Sequence, residues 1–305
     1  MKQKLVIICT LLLMLFAGVP INHGFATPVA EKKAILVVSN GSSQSEVIKQ
    51  DIEGVEKSIK DAYPDYEVRR AFTSQAMIDQ LMERDGVKVD NETEALARLQ
   101  ADGYNQVVVQ PLMITAGEDY SKVRDAVAHD QSSSAFDKIV LGRPLMDYAG
   151  QDGKADDYLA AVFVVKAPFP KLACCNAIVL VGHDGAHPDN DAYATLQQKI
   201  DDAGFGNVYV CTVDGKPSLN NVLERIKSKK FKKITVVPFT LVAAGKDATN
   251  DVSLRDIEAA RSKLTRAGFN VETYAHGLGE NFDVQQIFVQ HVKDAIEMLS
   301  ATSSK

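Results

Sequence analysis

The segment VLVGHDGAHPDND, Val179 to Asp191, sets two histidines and three aspartates directly after an apolar run. Imidazoles and carboxylates gathered in one place can hold a divalent cation or move a proton. His183 and His187 are four residues apart, the spacing that puts two ligands on one face of a helix. Gly185 and Pro188 break a helix here, and AIVLV before them has the β-branched character of a strand. Both histidines therefore belong to a strand-to-helix loop, with His183 immediately after the strand. Asp189, Asn190 or Asp191 is placed to cap the helix beginning AYATLQQKI. Capping explains the carboxylates better than it explains His183, and His187 fits either reading.

Two further strand ends bring carboxylates. VDGKPS supplies Asp214 after NVYVCT, and AAGKDATND supplies Lys246, Asp247 and Asp251 after TVVPFT. One imidazole with several carboxylates suits a first-row dication such as Co²⁺, Fe²⁺ or Zn²⁺. Each acid also has a plainer reading: Asp214 as a turn residue beside Gly215 and Pro217, Asp247 as a helix N-cap. The glycine loops SNGSSQS, with Gly41 and Ser42, and TAGEDYS, with Gly117 and Glu118, could cradle an anionic ligand on backbone N–H groups. Neither matches G-x-G-x-x-G or a Walker A pattern, so no nucleotide is expected. Met77, Met82 and Met113 read as core or cleft-lining residues.

The elements that position these residues follow from periodicity. Strands AILVVSN, YEVRRAF, NQVVVQPLM and DKIVLG alternate with helices over Ser45 to Ala62, Ser74 to Arg84, Glu92 to Asp102 and Tyr120 to His129. A helix over Asp156 to Val165 leads to strands NAIVLVG, NVYVCTV, KKITVVPF and NVETYAH. These alternate with helices over Asp191 to Ala203, Leu219 to Ser228, Asp251 to Ala267 and Asn281 to Ser300. Such alternation predicts α/β architecture with open parallel, Rossmann-like sheets. The halves echo one another: AILVVSNGS with AIVLVGHDG, and VVVQPLMITAGED with TVVPFTLVAAGKD. Two similar halves are thus expected, residues 27–170 and 171–305, joined near KAPFPKLACC, with the second carrying most of the metal site. Ligands of such sheets sit outside the carboxyl ends of the strands, here in a cleft between the halves.

The chain opens with Lys2 and Lys4, a largely apolar run from Leu5 to Val19, and small residues at Gly24 and Ala26. That pattern is expected of a secretory signal peptide over residues 1–26, giving an exported, periplasmic or envelope protein; a retained anchor is the alternative. Removing the two lysines of this segment moves the formal charge from −6 to −8. With such an acidic balance no nucleic-acid partner is expected, and KSKKFKK reads as the solvated end of a helix entering a strand. Cys174, Cys175 and Cys211 are an odd number without C-x-x-C spacing, so neither a disulfide framework nor a zinc knuckle is expected.

At ILVVSNGSS, RAFTSQAM, QPLMITAGEDY, LGRPLM, VGHDGAHP, TVDGKPS, PFTLVAAGKDATND and HGLGENFDVQQIFVQHV, the chain resembles the anaerobic sirohydrochlorin cobalt chelatases. These are CbiK-like class II chelatases related to ferrochelatase, and the resemblance extends to exported members. It covers nearly all of residues 27–305. The resemblance implies a two-lobed chelatase fold and a lyase that inserts Co²⁺, with Fe²⁺ as a second ion, into sirohydrochlorin. Its setting would be anaerobic cobalamin, corrinoid or haem-type metabolism. The family's metal-binding histidine falls on His183, its acidic ligand on Asp214, and its second active-site histidine on Asp247. His183 and Asp247 would be catalytic, and all three would hold the metal. Gly41, Ser42, Met113, Gly117, Glu118 and His187 would face the tetrapyrrole.

The departures are specific. The family's Gly-Asp-His-Ala run is GKDA here, its Asp-rich, Trp-containing segment after the Asn-Asp pair is missing, and the histidine by which some exported members bind haem is Met113. Metal insertion needs a loosely held ion, a base for two pyrrole protons and a cleft that fixes the ring. A His-to-Asp change keeps a ligand but lowers its basicity, from an ordinary pKa of about 6.5 to about 3.9. Two alternatives therefore stay open: a non-catalytic periplasmic carrier of a tetrapyrrole or metal, and a two-lobed binding protein for another solute. A homo-oligomer is compatible with the resemblance.

Overall fold

The computed structural model describes residues 31–151, 153–166, 175–183, 191–212, 215–242, 252–274 and 276–301. The first half forms a parallel four-stranded sheet in the order β2-β1-β3-β4, from β1 (Lys33–Ser39), β2 (Glu67–Phe72), β3 (Gln106–Pro111) and β4 (Lys138–Leu141). Its helices are α1 (Glu53–Ala62), α2 (Gln75–Asp85), α3 (Glu92–Ala101) and α4 (Glu118–Ser133). The central strands β1 and β3 are buried on both faces, as their near-continuous Val, Ile and Leu content requires of a covered parallel sheet. Helix α3 starts on a capping box, in which the Asn91 side chain accepts from the Glu94 N–H and Glu94 accepts from the Asn91 N–H.

The second half repeats this plan. Helix α5 (Asp157–Lys166) leads to β5 (Asn176–Gly182), α6 (Ala192–Asp202), β6 (Val208–Thr212), α7 (Leu219–Lys227), β7 (Lys233–Pro238), α8 (Val252–Arg266) and β8 (Asn270–Thr273). The parallel strand order is β6-β5-β7-β8, the counterpart of the first sheet position by position. The register sharpens the internal repeat. Val38 pairs with Pro111 and Val181 with Pro238, and the Leu112 and Phe239 N–H groups donate to the Val38 and Val181 carbonyls at 2.7 and 2.8 Å. The two prolines are therefore equivalent, one residue away from the alignment that the sequence echo suggests, and the C-terminal loop carries the extra residue. Met113 then corresponds to Thr240: their carbonyls accept from the Leu145 and Leu278 N–H groups at 2.8 and 2.9 Å.

Both sheets alternate with period two, and the alternation divides the core. Ile35 and Val37 of β1 join Ile178 and Leu180 of β5 in one shared core. Ala34, Leu36 and Val38 pack beneath α3 and α4, while Ala177, Val179 and Val181 pack beneath α7 and α8. The last helix crosses between the halves: α9 (Phe282–Ala301) packs on α1, β3 and β4, and it also touches α5, which packs on α6. A buried ionic cluster holds this crossing together. Asp157, at the start of α5, accepts from Arg143 Nε at 2.9 Å and from the Tyr148 N–H at 2.9 Å. Arg143 Nη1 reaches Asp294 of α9 at 2.6 Å, and His291 Nε2 lies 3.4 Å from Asp157.

Three local expectations are corrected. The helix expected over Ser45 to Ala62 is interrupted by a π-helical turn at Ile48–Ile52, where the 3₁₀ turn Leu278–Glu280 abuts it. A Cβ on Gly279 would stand 1.9 Å from the Asp51 carbonyl oxygen, so only glycine permits this approach. Asp191 occupies the N-cap position of α6 but its side chain makes no capping hydrogen bond, because its backbone, at φ −86° and ψ 9°, lacks the extended capping conformation; Asp189 and Asn190, the other expected caps, lie outside the described residues. Met82 is 43% exposed: α2 turns only Ile78 and Leu81 fully inward, and Met82 lies about 100° around from Leu81.

Candidate functional site

Of the residues the sequence singles out for chemistry at the second sheet, His183 lies within the described part of the chain. It directly follows β5, the central strand, at the carboxyl end of the sheet. Gly182 makes its setting possible. A Cβ there would fall 2.2 Å from Cε1 of Tyr193, so the glycine lets this buried ring lie against the strand end. The Tyr193 hydroxyl donates to the His183 carbonyl at 2.7 Å, which anchors the backbone of the histidine.

The imidazole is anchored separately. His183 Nδ1 lies 3.0 Å from Oδ2 of Asp256 on α8, with the histidine side chain 46% exposed and the aspartate side chain 12%. Asp256 shares the inward stripe of α8 with Ile257, Ala260 and Leu264, which fixes the carboxylate at the sheet's end. His183, Asp256, Pro238, Thr240 and Ile257 line a shallow depression there. A carboxylate on a core-facing helical stripe was the available sign of Asp256, and sequence reasoning passed over it.

The other expected residues divide. His187, Asp214 and Asp247 lie outside the described residues. In the first half, Gly41 has φ +95° and its Cβ would lie 2.6 Å from the Phe72 ring, so the backbone turn alone demands glycine. Ser42 Oγ accepts from the Gln44 N–H at 3.1 Å. Met113 is buried in the outer core of the first half, Gly117 is the N-cap residue of α4, and Glu118 projects into solvent from its first turn. Among the described residues no group of three or more His, Cys, Asp or Glu side chains could hold a metal ion, and no helix is long and apolar enough to cross a membrane. Cys211 is free and buried in β6; burial pushes its thiol up to about 12, so it serves as a small apolar residue.

Two equivalent parallel sheets, with a carboxylate-backed histidine after a central strand of one, define an α/β protein of two similar halves with a candidate site at the strand ends. The chain belongs to the cobalt chelatase (CbiK) family, whose model matches residues 33–297. It is a metal chelatase, with a divalent metal ion and a tetrapyrrole as substrates. The sirohydrochlorin cobaltochelatase of Salmonella typhimurium is 30% identical over 267 residues, 88% of this chain and 97% of that protein. Sirohydrochlorin cobaltochelatase CbiKC of Nitratidesulfovibrio vulgaris is 26% identical, over 88% of this chain and 92% of that protein. The solved structure of SirB from Bacillus subtilis with Fe³⁺ superposes with a TM-score of 0.58 at 17% identity, covering 87% of this chain and 95% of that one, which shows the shared fold.

Proposed function

We propose that the protein inserts Co²⁺ into sirohydrochlorin, with Fe²⁺ as a second ion, at the carboxyl end of the second sheet. The observation that carries this reading is His183, half exposed directly after the central strand, with its Nδ1 3.0 Å from Asp256 Oδ2. Insertion exchanges two pyrrole N–H protons for one dication, so the site must both bind the ion and take up protons. His183 is a ligand or an acceptor. Asp214 and Asp247 supply carboxylates that balance the ion's charge and pass protons to solvent.

Asp247 stands where the family has a histidine, so His183 is the imidazole of this ligand set. The internal repeat supports grouping residues at the strand ends in this way, since in the first half Asn40, directly after β1, donates to Asp119, in the first turn of α4, at 2.5 Å. The protein acts after export, residues 1–26 being the signal peptide and residues 27–170 and 171–305 the two halves. The test is metallation of sirohydrochlorin by the purified protein, followed by absorption. A Co²⁺ insertion rate above the spontaneous one, abolished in His183→Ala, is expected. Tight binding without turnover would assign a carrier role instead, and a rate no better than spontaneous with either metal would overturn the catalytic reading.

A further inference from the structure

We infer that Asp256 is a positioning residue for the chelatase reaction: it accepts the Nδ1 proton of His183 and so presents the Nε2 lone pair to the metal or the pyrrole proton. The inference rests on the proposed use of His183 and adds a residue to the expected set of His183, Asp214 and Asp247. A carboxylate only accepts hydrogen bonds, so a neutral imidazole 3.0 Å away must place its single proton on Nδ1. The other nitrogen then carries the lone pair that binds a dication or takes a proton. A carboxylate behind an imidazole also raises its basicity and fixes the ring plane, the arrangement found behind many metal-binding histidines.

Three observations make this contact a built one. Asp256 is held on the inward stripe of α8 beside Ile257, with its side chain largely buried, so it cannot swing away from the sheet end. The His183 backbone is fixed separately by Tyr193, so the Asp256 contact acts on a ring whose Cα is already anchored. The first half holds a comparable contact: Asn40, the residue directly after β1, donates from Nδ2 to Asp119 in the first turn of α4, the helix that follows β3 as α8 follows β7, with Asp119 nearer the start of its helix than Asp256 is. In both halves an acid of that helix accepts from the residue that ends the central strand.

The test uses two variants of the full chain, Asp256→Asn, which keeps the size of the side chain, and Asp256→Ala, which suits a helix. Two-bond ¹H–¹⁵N spectra of histidine-labelled protein without metal or tetrapyrrole, taken at about pH 8.5 where ordinary imidazoles are neutral, report the tautomer. The His183 signal is assigned by its loss in His183→Ala. The wild type should show Nδ1–H, Asp256→Asn should move toward Nε2–H because its amide can donate to Nδ1, and Asp256→Ala should lose the preference. The kcat for Co²⁺ insertion should fall about 10- to 100-fold in both, while KM for the tetrapyrrole stays within a factor of about two, since Asp256 acts through His183. An Nε2–H tautomer in the wild type, or an unchanged kcat in Asp256→Asn, overturns the assignment. A wild type that holds Nδ1–H yet inserts no cobalt overturns the substrate reading and leaves the orientation of His183 standing.

Discussion

Removing the Asp157 carboxylate should unfasten the crossing of the two halves. Asp157 and Arg143 are both buried, and the aspartate accepts two hydrogen bonds from the guanidinium and one from the Tyr148 N–H. Burial by itself pushes this carboxyl up, but hydrogen bonds from His291, Arg143 and the Tyr148 N–H outweigh it and leave the group below its usual range. Asp157→Ala leaves Arg143 with Asp294 as its carboxylate partner among the described residues, and breaking a buried pair from one side costs about 3–5 kcal/mol. At a urea slope of about 3 kcal/mol per molar the midpoint should drop by at least about 1 M. Asp157→Asn keeps an acceptor and loses the charge, so it should cost about 1.5–3 kcal/mol. The pH dependence has a definite sign. Because the folded-state pKa is lowered, the contribution is present above the unfolded value of about 3.9 and is lost as pH falls through the folded value. The gap between wild type and Asp157→Asn should be constant from about pH 5 to 8 and close below about pH 4. Urea unfolding followed by circular dichroism measures both. An Asp157→Ala cost below about 1 kcal/mol, or a gap as wide in acid as at neutral pH, would refute the reasoning.

Gly182→Ala should cost about 1–3 kcal/mol, because its methyl group would overlap the Tyr193 ring. By displacing the hydroxyl from the His183 carbonyl it should also slow cobalt insertion; a variant with unchanged stability and rate would show that the strand end tolerates the shift. Cys211, its thiol pushed up to about 12 by burial, should resist a thiol reagent in the native protein and react fully in denaturant. Rapid native labelling of Cys211, located by peptide mapping, would contradict that burial.

The two sheets were legible because each central strand is a continuous apolar run and each helix carries a 3.6-residue stripe, signals that do not depend on distant contacts. His183 was legible for the same reason, as the polar residue that ends such a run. Its partner was harder to read. Asp256 lies 73 residues further on, and its meeting with His183 depends on how α8 is rotated on the sheet, which packing determines. Even so, VSLRDIEAARSKL places a carboxylate beside Ile257 in the stripe that Ala260 and Leu264 continue, and a charge on an apolar stripe is a sign that something meets it. Arg143 was equally opaque: LGRPLM marks a strand end, but nothing local indicates that its guanidinium is buried between carboxylates of α5 and α9. The repeat register slipped by one because both proline loops look alike in sequence, while only the backbone pairing counts residues.

The repeat also bears on why the proposed chemistry belongs to the second half. Asn40 and His183 follow equivalent strands and both meet an aspartate of the helix after the neighbouring strand. The acids sit at different places on their helices, Asp119 at the second residue of α4 and Asp256 at the fifth of α8, so what the two halves share is an acid on that helix within reach of the central strand's end. An asparagine amide that donates one N–H to a carboxylate keeps its second N–H and a weakly basic oxygen but no basic nitrogen, so the pair in the first half fastens the end of β1 to α4 and does little more. An imidazole in the same place donates from one nitrogen and keeps a basic lone pair on the other. A single change of residue type at the end of a central strand thus turns a structural clamp into a group able to bind a metal ion or accept a proton. The acid on the following helix, needed by both pairs, sets the direction in which that group acts.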